Sequence, residues 1–414
     1  MSKGNVLFIS YDGMTDPLGQ SQVLPYLAGL SAEGYHISLL SCEKPERVSV
    51  KPLIENICRQ HRIAWHPIAY TRKPPILSTV KDVRAIMQLA EQLHREKKFD
   101  IIHCRSYISA LAGQWMKKKY KVPFIFDMRG FWADERVDGG LWRLGNPLFR
   151  TVFNYFKKKE KQFLEQANAI VSLTHAAAAE IGKWPLSKHT PVDVIPCCVD
   201  TELFDPAKID EAKKQELRQK AGIPGGQTIL GYVGSLGTWY LLPEMLGFFK
   251  SWLQQKPDSL IFFVTTEPAE MIQAAAAEKG IGADRIRIVS AARNEVPYYI
   301  SMMDYGLFFL KKAFSKMASS PVKQGELMAM GIPVICNAGV GDSDRIVTQY
   351  HAGVLVHDYS EEGYRKALQE LDKATFDPAA IRKGCFDYFD LAKGITSYAN
   401  IYRSLCADNA TVNA

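Results

Sequence analysis

No stretch of this sequence approaches the ~18 consecutive apolar residues of a membrane-spanning helix. Its start, "MSKGNVLFISYDG", enters a strand-like apolar run directly, without the apolar segment and cleavage site of a secretory signal. Both absences point to a cytoplasmic protein. Metal and disulfide spacings are missing too: the eight cysteines are scattered and the only close pair, Cys197 and Cys198, is adjacent, so free or buried thiols in a reducing compartment are expected. Neither strand that opens a half of the chain is followed by G-x-G-x-x-G, which disfavours an NAD-dependent oxidoreductase. Fixed-period repeats, low-complexity runs and nucleic-acid motifs are likewise lacking, and no nucleic-acid partner is expected.

The chain has 414 residues, more than one hydrophobic core usually fills, so two domains are expected. The net charge of +7 is modest but concentrated in "MKKKYK" (116–121) and "RTVFNYFKKKEKQF" (150–163). A solvated helix face is one reading of the second stretch. The other is docking to an anionic membrane surface, because Phe153, Tyr155, Phe156 and Phe163 interleave with four lysines.

Short apolar runs alternate with helical patterns throughout. Runs at 5–10, 36–41, 100–104, 122–127 and 169–174 read as strands, with helices over 21–34, 83–97, 109–119 and about 148–167 between them. The stretch 193–206 reads as a further strand running into a turn-rich connector, after which the pattern restarts with strands at 228–234, 259–265, 285–290, 305–310 and 333–338. Strands apolar on both sides and separated by helices imply parallel sheets covered on two faces. The expected class is therefore α/β, with two Rossmann-like doubly wound domains facing a central cleft: residues 1–203 and 204–385, with 386–414 as a C-terminal helix crossing back.

"SSPVKQGELMAMGIPVI" (319–335) carries the most chemistry. Ser320 suits an N-cap and Pro321 the first helical position, which leaves Lys323 where a capping box would place Glu or Gln. A cation near a helix start is unfavourable by roughly 0.3–1 kcal/mol, and a bound phosphate reverses the sign. Glu326 lies on the same face one turn later, where a carboxylate accepts both hydroxyls of a ribose diol. Lysine for phosphate and glutamate for ribose fit a nucleoside diphosphate; the plain alternative is a surface i,i+3 pair. The glycines of "GYVGSLGTWY" (231–240) suit a phosphate loop or simply a strand-to-helix turn.

The 319–335 segment resembles the donor-binding run S-P-x-K-x-x-E-x-x-A-x-G-x-P-V of GT-B glycosyltransferases, in particular the retaining enzymes of family 4 (group 1). Other stretches are similar to that family in the same order: "YDGMTDPLGQSQVLPYL" (11–27), "DIIHCRSY" (100–107), "DMRGFWADE" (127–135), "VIPCCVDTELF" (194–204) and "GYVGSLG". The resemblance spans nearly the whole chain. It implies that Glu326 binds the nucleotide ribose, that Lys323 lies beside the diphosphate with Ser320, and that Gly234, Ser235 and Gly237 support the phosphates together with Gly19 and Gln20 of the first domain.

The chain departs from the family at three places. Ala318 stands eight residues before Glu326, where many members have a sugar-holding glutamate. "TWYLLPE" (238–244) has no cation where many members carry an arginine and a lysine; Lys311, Lys312, Lys316 or Arg293 are the candidates to supply it. Asp127 replaces the family's cleft histidine. Asp127 is assigned to orient the acceptor hydroxyl, take its proton or lie against developing positive charge, and Arg129 to fix that aspartate or bind an anionic acceptor. His103 either contacts substrate or is structural.

Preorganised N–H groups and a lysine stabilise the diphosphate leaving group without a metal. No metal or other cofactor is expected, and "DSD" (342–344) reads as a loop and helix cap. The expected function is transfer of a sugar from a nucleotide-sugar donor to a glycan or lipid-linked acceptor in surface polysaccharide or glycoconjugate assembly, by a protein in the cytoplasm, peripheral on the inner membrane face. The alternatives are a nucleotide-sugar epimerase of the same fold and a non-catalytic nucleotide- or carbohydrate-binding protein.

Overall fold

The structure is a computed structural model that describes residues 3–412; residues 1, 2, 413 and 414, the last two within the segment expected to close back as a helix, lie outside the described residues. The chain divides into two compact units, Met1–Pro196 with Leu391–Ala414, and Cys197–Asp390.

The first unit holds β1 (Gly4–Ser10), β2 (Tyr35–Glu43), β3 (Ala64–Ala69), β4 (Ile101–Arg105), β5 (Phe124–Asp127), β6 (Ala169–Ser172) and β7 (Val192–Val194). They form one parallel sheet in the order β3-β2-β1-β4-β5-β6-β7. Its central strands are buried along nearly their whole length, as a sheet with helices on both faces requires. Pro67 sits in β3 at the sheet edge, where a missing N–H breaks no ladder. The register sets Ser10 beside Arg105 and Arg105 beside Asp127, so three polar side chains align at the C-terminal ends of β1, β4 and β5. The strand order reverses between β1 and β4, and ligands of open α/β sheets bind at that switch point.

The second unit repeats the plan with β8 (Thr228–Val233), β9 (Ser259–Val264), β10 (Ile286–Val289), β11 (Tyr305–Phe308), β12 (Val334–Asn337) and β13 (Gly353–Val356). All are parallel, in the order β10-β9-β8-β11-β12-β13, with the switch between β8 and β11. Trp252, Phe248, Phe262 and Phe309 lie in its core.

Three differences from the sequence reading have local causes. The helix expected over 21–34 is two, Pro17–Gln22 and Leu24–Ala32, because Pro25 has no N–H to carry the ladder through. The compact units part after Pro196 instead of after residue 203, since Val199 belongs to the second unit's core and its N–H donates to the Phe389 carbonyl at 2.7 Å. That pairing also interrupts the helix expected across 386–414: one helix, Pro378–Tyr388, ends inside that segment and another, Leu391–Val412, begins after the break.

The terminal helix Leu391–Val412 belongs to the first unit. Tyr35 Oη donates to the Ala399 carbonyl at 3.3 Å, the Tyr26 and Tyr398 rings meet edge-on at 5.5 Å, and Tyr402 Oη lies 2.7 Å from His103 Nδ1. His103 and Tyr402 are both fully buried, so Tyr402→Phe would leave a ring nitrogen without partner or water. We expect that substitution to destabilise the first unit by ~1–3 kcal/mol, seen in thermal melts as an earlier transition with the far-UV spectrum unchanged.

Candidate functional site

In the second unit the sequence motifs converge at the switch point. Gly234 follows β8 with φ +97°, a conformation that favours glycine, and a Cβ there would sit 3.6 Å from Lys323 Nζ. Gly237 also has positive φ, at +51°. The N–H of Gly234 is already bonded to the Val264 carbonyl at 2.9 Å, so Gly234 gives the loop its shape without offering a donor. The Ser235 carbonyl accepts from Tyr232 Oη at 2.6 Å, and Tyr232 Oη in turn accepts from Lys323 Nζ at 2.9 Å. Lysine, tyrosine and loop are thus one connected chain of hydrogen bonds.

Lys323 is 6% exposed, a rare state for a lysine. Its Nζ stands 3.3 Å from the ring centroid of Tyr240 and 4.2 Å from that of Tyr232. Burial pushes its pKa well below the usual lysine range, against the opposing pull of Glu326. The helix Val322–Ala329 has Pro321 at its N-cap, so Lys323 is the second helical residue. Ser320 is therefore not the N-cap expected for it: its Oγ accepts from the Cys197 N–H at 3.2 Å instead, tying the connector to the motif.

Glu326, 4% exposed, makes no i,i+3 pair with Lys323; Arg293 Nη1 holds its Oε1 at 2.5 Å. The guanidinium also rests 4.7 Å over the Phe204 ring and keeps a side-chain exposure of 41%, so the carboxylate is covered by a group free to rotate into solvent. Arg293, a candidate for the missing diphosphate cation, is thus placed on the Glu326 carboxylate. Lys312 donates to the His357 carbonyl at 2.6 Å, and Lys316 is buried under the Trp239 ring with Nζ 3.5 Å from the centroid. Ala318 is buried in the short turn Phe314–Ala318.

In the first unit, His103 lies in the middle of β4 and does not end it. It is enclosed by Tyr398, Tyr402 and Asp127, with Nε2 3.5 Å from Asp127 Oδ2, and burial lowers its pKa and favours the neutral ring. Asp127, 2% exposed, accepts from Tyr398 Oη at 3.0 Å through Oδ2. Burial pushes its carboxyl up, but Arg129, His103 and Arg105 together outweigh that and hold it below the ordinary range. Arg129 Nη1 is 3.9 Å from Asp127 Oδ1, on a backbone at φ +56° that carries strain in a non-glycine residue. Gly19 and Gln20 lie inside the helix Pro17–Gln22; a Cβ at Gly19 would come within 2.3 Å of the Gly13 carbonyl oxygen.

Sequence reasoning missed Tyr232, Trp239 and Tyr240 around the lysines, and Arg105, Tyr398 and Tyr402 around Asp127. The i,i+4 tyrosines of the C-terminal helix were the available signal for the last pair. Among the described residues no group of three or more His, Cys, Asp or Glu side chains is placed to hold a metal; Asp342 stands at the N-cap of the helix Ser343–Gln349 as expected, but its side chain accepts from Tyr388 Oη without capping the helix, and Asp344 accepts from the Gly339 N–H at 2.9 Å. None of the eight cysteines, all among the described residues, is in a disulfide. Among the described residues no helix is long and apolar enough to cross a membrane.

Two parallel α/β units, each with its polar residues at a switch point, are the architecture of the GT-B class. The family described as Glycosyltransferase Family 4 matches residues 20–203, and Glycosyl transferases group 1 matches residues 213–380. The chain belongs to this glycosyltransferase family. A D-inositol 3-phosphate glycosyltransferase of Jonesia denitrificans is 25% identical over 281 residues, 66% of this chain; the chain spans 63% of that relative's length. Among solved structures, sucrose-phosphate synthase from Thermosynechococcus elongatus superposes with a TM-score of 0.71 at 18% identity, over 98% of this chain and 100% of that one. HepE from Anabaena, solved with UDP-glucose, gives 0.69 at 13% identity, over 97% of this chain and 100% of that one. At such identities these likenesses show the fold.

The buried lysine has a pH signature. Between its lowered folded pKa and the usual value near ~10.4, the unfolded chain binds a proton that the folded chain does not, so raising pH through that window adds stability. Below the window the full penalty of burying the charge is present. Lys323→Met should therefore raise the melting temperature by a few degrees at neutral pH and flatten its rise toward alkaline pH, measured by thermal melts of both proteins from neutral pH upward.

Proposed function

We propose that the protein transfers a sugar from a nucleoside-diphosphate sugar to a hydroxyl of a glycan or lipid-linked acceptor, with retention at the anomeric carbon, in surface polysaccharide or glycoconjugate assembly. The observation that carries this reading is the meeting of the Gly234 loop, Lys323 and Glu326 at the switch point of the second sheet. The complex of HepE with UDP-glucose supports a nucleotide-sugar donor, and the inositol phosphate in the name of the Jonesia relative supports a polyhydroxyl acceptor.

As the anomeric bond breaks, negative charge grows on the diphosphate. The Lys323 ammonium, already stripped of water, meets that charge in a low-dielectric site where one interaction is worth most. N–H groups from Ser235 to Gly237 would assist, since that of Gly234 is taken. Glu326 accepts the ribose diol once Arg293 swings away, and the released guanidinium remains available to the phosphates. On the first unit, we assign Arg129, Gln20 and the backbone near Gly19 to the acceptor or its phosphate. Asp127 stays ionised beside Arg129 and Arg105 and orients these groups; buried behind Tyr398, it is better placed to hold charge and geometry than to take a proton from a hydroxyl.

We further propose that the protein sits in the cytoplasm, peripheral on an anionic inner membrane face. The stretch 150–163 does not act alone: Phe156 and Phe163 are buried, and Lys157 pairs with Asp134 and Glu160. Instead, a groove of about 900 Å³ gathers lysines from both basic runs, Lys117, Lys118, Lys121 and Lys159, with Trp115 and Tyr155. Lys117 bonds to the Gln166 carbonyl and Asn168, and Lys159 to Gln114, all neutral acceptors, so the groove's one carboxylate, Glu165, is outnumbered by its four lysines.

A thermal-shift panel of UDP, GDP, ADP, dTDP and their sugars should identify the donor by stabilisation. With that donor, Glu326→Ala and Lys323→Ala should each lower kcat/KM about 10²-fold; near-parental rates in both would remove the assignment. Donor turned over without any acceptor would identify an epimerase, and tight binding without turnover a binding protein. Flotation with phosphatidylglycerol vesicles at low salt should carry the protein upward and fail after charge reversal at Lys118, Lys121 and Lys159.

A further inference from the structure

Arg105 of the first unit is a strong donor with little to bond. It ends β4, is 6% exposed, and stands in the strand register between Ser10 of β1 and Asp127 of β5. Among the described residues its ion-pair partner is Asp12, whose Oδ2 lies 3.6 Å from Nη1, too far for a hydrogen bond. The Asp12 side chain is 51% exposed, and water weakens the pair further. The buried Nε of Arg105 has no hydrogen-bond partner. Asp127 answers part of the charge, but that carboxylate also faces Arg129. A guanidinium carries several N–H donors in a fixed fork, and burying it without acceptors is unfavourable. The residue that follows, Ser106, has a left-handed backbone at φ +69°, a strain of the kind that gathers at binding sites.

The neighbouring loop after β1 is the opposite case. Its consecutive N–H groups at Met14 and Thr15 donate to the two oxygens of the Glu43 carboxylate at 2.8 and 3.0 Å, and Thr15 Oγ1 donates to the same group at 2.6 Å. Ser41 Oγ adds a further bond at 2.5 Å. Successive backbone N–H groups of this kind make an anion-binding nest, and Glu43 fills it. A Cβ at Gly13 would sit 2.8 Å from that carboxylate. An anion reaching these strand ends therefore finds those backbone donors taken and the Arg105 fork open. We propose that Arg105 binds an oxyanion carried by the acceptor, a phosphate monoester or a carboxylate, and so restricts the protein to acidic acceptors. Arg105 pairs such a group through two parallel N–H bonds, and Asp12 is the exposed placeholder that the acceptor's acid displaces. The inference rests on the assignment of the first unit to the acceptor, and adds the residue that selects which acceptors are taken.

Thermal melts of the full chain in inorganic phosphate, acetate or chloride at matched ionic strength read the site directly. Phosphate or acetate should raise the melting temperature of the parent protein by a few degrees over chloride, and the larger shift names the acid. Phosphate also meets Lys323, so the share that counts is the one lost in Arg105→Met. Arg105→Lys keeps the charge without the fork and should give an intermediate shift. In chloride, Arg105→Met should melt above the parent, because it removes a buried charge that lacks acceptors; a lower value would mean that the guanidinium is already satisfied, and would overturn the site. Asp12→Asn removes the competing carboxylate and should enlarge the anion shift. Equal shifts in the parent and Arg105→Met, or none in either, also overturn the proposal, and if Arg105→Met folds poorly, an unchanged or smaller shift in Asp12→Asn does so. UDP, GDP, ADP and dTDP report on the second unit: whichever stabilises the parent should stabilise Arg105→Met equally. If one does while the anion shift ignores Arg105, this inference falls alone; if none stabilises either protein, the donor reading falls and takes the acceptor with it.

Discussion

A lysine ammonium kept out of water governs the second unit. Burying such a charge is strongly unfavourable unless something answers it, and the residues around Lys323 divide that task. Tyr232 supplies an acceptor, Tyr240 a ring face, and Glu326 a longer-range field. The glycine at 234 is needed because its φ of +97° turns the chain past the lysine. The site is preorganised in the sense that desolvation is completed during folding and not at the moment of reaction.

The first unit solves a related problem with the opposite charge. Asp127 is ionised in a buried position because two arginines from adjacent strand ends and a phenol from the chain's last helix surround it. The left-handed backbone of Arg129 is part of the same arrangement. Both units thus place a costly charge close to the strand ends beside the reversal of strand order, Asp127 on β5 next to β4 and Lys323 against Tyr232 of β8.

Much of this was legible in the sequence. Strands buried on both sides stand out as apolar runs, and β1, β4, β8, β9 and β11 lie where those runs predict them. Two edge elements escaped: β3, whose Pro67 argues against a strand until its edge position is known, and the four-residue β13. The facing pair Lys323 and Glu326 follows from helical spacing, but their real partners do not. Tyr240 reaches Lys323 only because its segment bridges Leu310, and Tyr398 meets Asp127 across 271 residues of sequence. Contacts of that kind are set by sheet order, and local pattern carries no trace of them. The N-cap at Ser320 failed for a similar reason: the serine found a better partner in Cys197, far along the chain.

The terminal helix has a consequence for the order of events during synthesis. All residues of the second unit, Cys197–Asp390, are contiguous, so its core is complete in composition once the ribosome has passed Asp390. The first unit begins earlier yet must wait longer, because the hydroxyls that satisfy Asp127 and His103 arrive with Tyr398 and Tyr402. Until then the nascent sheet carries a buried carboxylate and an imidazole without those partners. The part of the protein that is made first is the last to be finished.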